Sequence, residues 1–256
     1  MDTLLYDGTF EGWLTAVFEA YEYRYADADI CTEAHFNGNL FGTVHRVVTA
    51  PEKSSRVWTG LKKKLSPEGL KAIRYAFLSE LPGMESTLYR YARYIFSTAE
   101  NVETDFSHAD VLTVSQVART VWREQHRMEA FIRFQKTADG LYYALIGPDH
   151  NVLPLIAPHF YERYADQAWL IYDSRRRWGL YYNGQSVEEV SVAFIPESEA
   201  GKNAEPVYDT GEVLYQALWR QYFQSVNIPA RKNLKLQLQH MPRRYWKFLT
   251  EKKPGG

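Results

Sequence analysis

Along the first half of the chain, apolar side chains recur at the spacing of an α-helix. Phe10, Leu14, Val17, Phe18 and Tyr21 share one helical face, with Thr9 as a suitable N-cap, which predicts a helix over residues 10–25. Further helices are predicted over residues 53–65, 67–81 and 85–99, the last two separated by Leu81-Pro82-Gly83. Thr113-Val114-Ser115-Gln116 reads as a capping box opening a helix that reaches about Met128. A short strand is predicted within Gly42–Thr49, ended by Ala50-Pro51.

In the middle of the chain the period shortens to two. Runs of β-type residues flank Asp139-Gly140 and, later, Asn183-Gly184, both hairpin signals. Between them, Leu153–Ala165 predicts a short helix, in which Pro158 must occupy the first turn or break it. The predicted order is β-β-α-β-β-β in a small antiparallel sheet. Pro196–Pro206 reads as a loop, Asp209–Val226 and Ala230–His240 as helices, and Arg243–Lys252 as a further helical turn or two. The expected class is α+β. A mostly helical region, 1–112, precedes an α+β core, 113–256, with its sheet at about 131–195 and a basic helical segment at about 207–252. The two parts are compatible with one continuous globular unit.

Charge changes this picture more than composition does. The chain holds 30 Lys+Arg against 31 Asp+Glu, yet between Tyr215 and Lys253 nine bases face a single acid, Glu251. That segment carries about +8 and the remainder about −9. Such a partition points to nucleic acid, an acidic partner, or an acidic surface of the same fold. A hydrophobic content of 45% supports an ordinary globular core. No apolar run approaches the roughly 18 residues of a membrane span, and Asp2 stands where a secretory signal carries bases. A cytoplasmic protein without a membrane partner is expected.

Several chemistries are excluded. Cys31 is the only cysteine, so this chain alone builds neither a disulfide nor a cysteine-ligated zinc or iron–sulfur site. P-loop, nucleophile-elbow and H-E-x-x-H motifs are absent, and Gly184-Gln185 lacks the Asp-Pro-Tyr of a glycosylase signature. No cofactor or metal is expected, although a site of His and carboxylates stays open.

Three groups of residues carry candidate chemistry. In the C-terminal block, Arg231, Lys232, Lys235, Arg243, Arg244 and Lys247 are suited to phosphates, and Tyr245, Trp246 and Phe248 to stacked bases. The alternative is a terminal helix with Leu234, Leu236, Leu238, Trp246 and Leu249 in the core and its bases solvated or paired with the acidic remainder. In the second group, Arg175, Arg176 and Arg177 fall in an expected hairpin turn and suit phosphate contact. Asp149, His150, His159 and Asp173 lie near them and are the candidates for acid–base chemistry, against a role as hydrogen-bonded or solvated side chains. The nine-residue spacing of His150 and His159 fits neither a helical metal pair nor a short zinc loop. The third group, Arg119, Arg123 and Arg127, forms an i,i+4 stripe with Glu124 and Glu129 close by, where an internal ion network competes with a ligand site. Lys62-Lys63-Lys64 reads as a solvated helix end favoured by the helix dipole.

Four stretches, Tyr6–Tyr21, Glu124–Phe134, His150–Asp173 and Asn227–Lys252, together resemble a bacterial family of unknown activity grouped with DNA metabolism. The resemblance implies a companion of a radical-SAM protein acting in DNA modification or repair, some relatives being fused to a uracil-DNA-glycosylase-like domain. It supplies no catalytic residues, and the chain is expected to be the unfused form. The leading expectation is an accessory factor that binds DNA or RNA and works with the radical-SAM protein. The alternatives are an enzyme acting on a nucleobase or nucleotide, and a module docking on an acidic protein partner.

Overall fold

The computed structural model describes residues 2–25, 27–36, 38, 42–137, 140–191 and 241–249. The chain divides into two compact units, residues 1–123 and 124–256. The class is α+β, as the periodicities imply.

The first unit contains β1 (Asp2–Tyr6), α1 (Phe10–Glu22), β2 (Ala28–Thr32), β3 (Val44–Arg46), α2 (Pro51–Lys64), α3 (Pro67–Phe77) and α4 (Met84–Ser97). α5 (Ala109–Phe131) contributes its residues up to Arg123. Thr9 caps α1 as expected, its Oγ1 accepting from the Gly12 amide at 2.9 Å. The helix ends at Glu22 rather than Tyr25, where Arg24 adopts φ 61° and the Tyr25 amide turns back to the Ala20 carbonyl. Likewise α3 stops at Phe77, ahead of Glu80 at φ 52°.

Within this mostly helical unit the strands form a parallel sheet, ordered β2-β1-β3. Only β3 was legible beforehand. Leu4, Leu5, Tyr6, Ile30 and Cys31 are all buried, so β1 and β2 show little two-residue alternation. The core gathers Trp13, Val17, Ile30, Leu61, Ile73, Leu88 and Ile95. One correction concerns α5, which begins at Ala109. Thr113 is not its cap but lies inside the helix, its hydroxyl donating back to the Ala109 carbonyl at 2.8 Å.

The second unit holds the end of α5 from Glu124, then β4 (Gln135–Lys136), β5 (Tyr142–Ile146), α6 (Leu153–Arg163), β6 (Trp169–Asp173), β7 (Trp178–Tyr182) and β8 (Val187–Val190). This is the predicted succession, with the sheet ordered β4-β5-β6-β7-β8. The expected antiparallel arrangement is corrected at one pair: β5 and β6 run parallel, Ile146 lying beside Asp173. A helix between neighbouring strands lets the chain cross over and re-enter in the same direction, which a tight hairpin cannot do. Pro158 sits inside α6 without breaking it, while Pro154 occupies its first turn. Gly140 and Gly184 adopt φ +90° and +93°, the left-handed backbone that the two hairpins use.

The C-terminal block forms a 3-10 turn, Arg243–Phe248. The segments expected at Pro196–Pro206, Asp209–Val226 and Ala230–His240 lie outside the described residues, as do Arg231, Lys232 and Lys235. No helix among the described residues is long and apolar enough to cross a membrane.

Trp169, fully buried on the central strand β6, packs against Phe160 and Tyr182. Trp169→Ala is expected to cost about 3–5 kcal/mol, read from urea unfolding followed by circular dichroism.

Candidate functional site

The parallel β5–β6 pair determines what meets what in the second unit. Parallel neighbours bring their C-terminal ends to the same edge of the sheet. Here the loop after β5, Gly147–Val152, therefore adjoins the turn after β6, Ser174–Arg177. The Ser174 amide and hydroxyl both donate to the Ile146 carbonyl, at 3.0 and 2.9 Å, fastening one connection to the other.

Asp173, with no exposed surface, organises the turn. Its carboxylate accepts from the Arg175 amide at 2.8 Å and from the Arg176 guanidinium at 2.8 Å. The Arg176 guanidinium also donates to the carbonyls of Pro148 and Asp149, at 3.2 and 2.9 Å, and keeps 14% of its side chain exposed. Arg177 takes φ +60° and is exposed, without an ion pair among the described residues.

The C-terminal 3-10 turn docks at the same edge. Tyr245 and Leu249 are buried, and the Phe248 ring lies where a side chain on Gly147 would meet it at 2.9 Å. Beneath them the Glu124 carboxylate, 1% exposed, gathers four donors. These are the amides of Asp149 at 3.0 Å and His150 at 2.7 Å, the Arg244 guanidinium at 3.2 Å, and a short bond from the Tyr245 hydroxyl. Burial alone would raise the Glu124 carboxyl, but the hydrogen bonds from Tyr245, Asp149 and His150 outweigh it and leave it below its ordinary value. Burial beside that carboxylate pushes the Tyr245 hydroxyl up, so both groups hold the charge states that the bond requires.

Asp149 then joins the two basic segments. Its carboxylate meets the Arg175 guanidinium at 2.6 Å and the Arg244 guanidinium at 2.9 Å. Arg175 and Arg244, 69 positions apart in sequence, thus share one exposed carboxylate. Arg177, Arg243 and Lys247 on the same two turns are exposed as well, so these turns carry five exposed cations. Arg243 and Lys247 lie over the Trp246 and Phe248 rings, at 5.8 and 4.7 Å from their centroids.

Three of the four acid–base candidates, Asp149, His150 and Asp173, are brought into this network. His159 belongs elsewhere, its ring edge-on to Phe160 within the aromatic packing of α6. Tyr245 requires a correction: at 2% exposure it is the anchor of the turn and has no face to offer a base. Trp246 is half-buried, its indole N–H donating to the Met241 carbonyl at 3.1 Å. Glu124 does not pair with Arg119 or Arg123 of the neighbouring arginine stripe, both exposed, and His126 faces Glu129 at 3.7 Å. Its role had a legible signal. Val111, Val114, Ala118, Val121 and Met128 mark the buried stripe of α5, and Glu124 occupies the next position of that stripe after Val121. An acid on an apolar face demands an internal partner. Among the described residues, no group of three or more His, Cys, Asp or Glu is placed to hold a metal ion.

The fold and this edge define an α+β protein whose most elaborate polar site is an arginine-rich network organised by buried carboxylates. The chain belongs to the DUF4130 family, described as a domain of unknown function, whose model matches residues 82–251. Every residue of the network falls within that match. No curated protein and no solved structure matches the chain.

Two outcomes follow from the anchor. Tyr245→Phe removes a donor from a buried carboxylate and is expected to cost about 1–3 kcal/mol, with faster amide exchange over residues 243–249. Glu124 stabilises the fold fully above the unfolded carboxyl value, near 4.5, and loses that contribution as pH falls through its lower folded value. A carbon-detected NMR titration is expected to place its midpoint below 4.5 in the wild type.

Proposed function

We propose that the protein is a nucleic-acid-binding accessory factor in DNA modification or repair that works beside a radical-SAM enzyme. The observation that carries the binding part is the convergence of the Arg175–Arg177 turn and the Arg243–Lys247 turn around Asp149. Both segments suggested phosphate contact on separate sequence grounds, and the five exposed cations that the two turns carry support that reading. Arg175 and Arg244 are pre-positioned, because Asp149 holds both and Glu124 anchors Arg244 from beneath. Ordering them again on binding carries little entropy cost. Arg176, held by Asp173 and two carbonyls, is assigned to the turn rather than to the ligand.

The geometry favours binding over catalysis. Asp173 is engaged by the turn it closes, and Asp149 is bridged by two guanidiniums. A phosphate entering at Asp149 would exchange with that carboxylate for Arg175 and Arg244, an anion swap that needs no rearrangement of the sheet. The DNA-metabolism setting and the radical-SAM partner rest on the sequence resemblance of Tyr6–Tyr21, Glu124–Phe134, His150–Asp173 and Asn227–Lys252.

Fluorescence anisotropy against single-stranded DNA, duplex DNA and RNA across a salt series tests the reading. Micromolar or tighter binding is expected. Changing Arg175, Arg177, Arg243 and Lys247 together to Gln is expected to lower the log K against log salt slope by about three. An unchanged slope, or no binding to any of the three, overturns it. Capture of the radical-SAM protein by a chain that ignores nucleic acid would move the site to an acidic protein surface.

A further inference from the structure

A second basic surface lies in the first unit, far along the sequence from the network just described. From Pro51 to Phe77 the chain carries seven bases and two acids, Glu52 and Glu68. These residues form α2, α3 and the short link between them. Two of the seven bases have internal tasks. Lys53 donates to Glu19 at 2.9 Å and Glu22 at 2.8 Å, and Lys64 donates to the Thr98 carbonyl at 2.6 Å. The other five, Arg56, Lys62, Lys63, Lys71 and Arg74, are exposed and have no ion pair among the described residues.

Four of the five, Arg56, Lys62, Lys71 and Arg74, lie over rings instead of carboxylates. The Lys62 ammonium lies 5.7 Å from the centre of the Trp58 ring, and the Arg74 guanidinium 5.8 Å from the same ring. Arg74 also lies 5.7 Å from the Phe10 ring, which meets Trp58 edge-on at 5.5 Å. Lys71, one helical turn before Arg74, stands 5.1 Å from the Tyr75 ring. Two like charges are therefore drawn to one indole, and a third sits on the same helix. Elsewhere in this unit Arg90 pairs with Asp110 and Arg46 with Glu33, while the ring contacts of Arg56 at Phe18 and Arg93 at Tyr89 each bring one cation without an acid partner among the described residues.

The helix dipole accounts for cations in the last turn of α2. It does not account for the gathering of Lys62 and Arg74, from different helices, at one ring with no carboxylate. Repulsion between them is relieved by an anion, and the rings hold the cations in place before it arrives. Because cations already lie against Trp58, the face is suited to phosphate and not to base stacking. Contacts of that kind position a nucleic acid without reading its sequence.

We propose that the face bearing Lys62, Lys71 and Arg74, with the exposed Lys63 next to Lys62 in sequence, is a separate, sequence-independent contact for a nucleic-acid phosphodiester backbone. The choice of nucleic acid as partner rests on the function proposed above, whereas the surface rests on its own geometry. The test uses the full chain and a fluorescein-labelled 30-nucleotide single strand of mixed sequence, alone and as a duplex, in a salt series. Lys62→Gln/Lys71→Gln/Arg74→Gln is expected to weaken binding at least tenfold at low salt. Its log K against log salt slope is expected to fall by about two on the single strand and about three on the duplex. Lys62→Gln/Lys63→Gln/Lys71→Gln leaves Arg74 and the rings untouched and is expected to lose a similar slope. Arg74→Lys keeps the charge and is expected to leave the slope unchanged.

Wild-type affinity and slope in both triple variants, with thermal unfolding like that of the wild type, overturn this surface. If the variant at Arg175, Arg177, Arg243 and Lys247 still weakens binding, the proposed function survives that result. Failure of the wild type to bind either probe overturns both. A loss that depends on base sequence also overturns the proposal, because a backbone contact is indifferent to it.

Discussion

One buried carboxylate holds the arginine-rich edge of the second unit together. Glu124 sits on the apolar stripe of α5 with 1% of its surface exposed, a position that is costly for an ionised group unless its acceptors are satisfied. Two of its partners are backbone amides, at Asp149 and His150, and these fix the loop after β5. The others are Arg244 and the Tyr245 hydroxyl, which tie down the C-terminal turn. Replacing such a carboxylate by an apolar side chain would leave the Asp149 and His150 amides and the Tyr245 hydroxyl without this acceptor, and Arg244 with Asp149 as its acid partner. The geometry of Asp149, and through it of Arg175, is built on that anchor.

The strand direction at β5–β6 has comparable consequences. In an antiparallel pair, the loop leaving β5 and the turn leaving β6 would lie at opposite ends of the sheet. The α6 crossover places them side by side, and the register of Ile146 with Asp173 brings Pro148 and Asp149 within reach of Arg175 and Arg176. A cationic edge of this kind needs its charges separated by rigid spacers, or mutual repulsion disperses flexible side chains. Asp173 and Glu124 provide the spacing from below, and Asp149 provides it at the surface. Buried ion pairs contribute little net stability, so their value here lies in geometry.

Much of the fold was written in periodicity. The helical faces of α1 to α4, the Thr9 cap, the succession of strands around α6 and both glycine hairpins follow from local rules that act within a few residues. The basic character of the C-terminal block and of the Arg175–Arg177 turn was equally plain. Errors arose where local signals mislead. A Thr-x-x-Gln pattern lies inside α5 because the helix began a turn earlier, and Pro158 is tolerated in a helix long enough to surround it. β1 and β2 escaped notice because burial of successive residues weakens the alternation by which a strand is recognised.

What the sequence determined by itself was therefore the inventory: the class of fold, much of the order of elements, the local excess of bases near the C-terminus and the lack of a second cysteine for an internal disulfide. What only the tertiary structure decided was adjacency. That Arg175 and Arg244 share Asp149, that Tyr245 is an anchor and not a platform, and that Lys62 and Arg74 meet at Trp58 all depend on strand direction and helix packing. Local propensity is set by neighbours a few bonds away, whereas these contacts join residues far apart along the chain. Their partners are selected by burial and electrostatics in three dimensions, and no spacing rule along a chain encodes them.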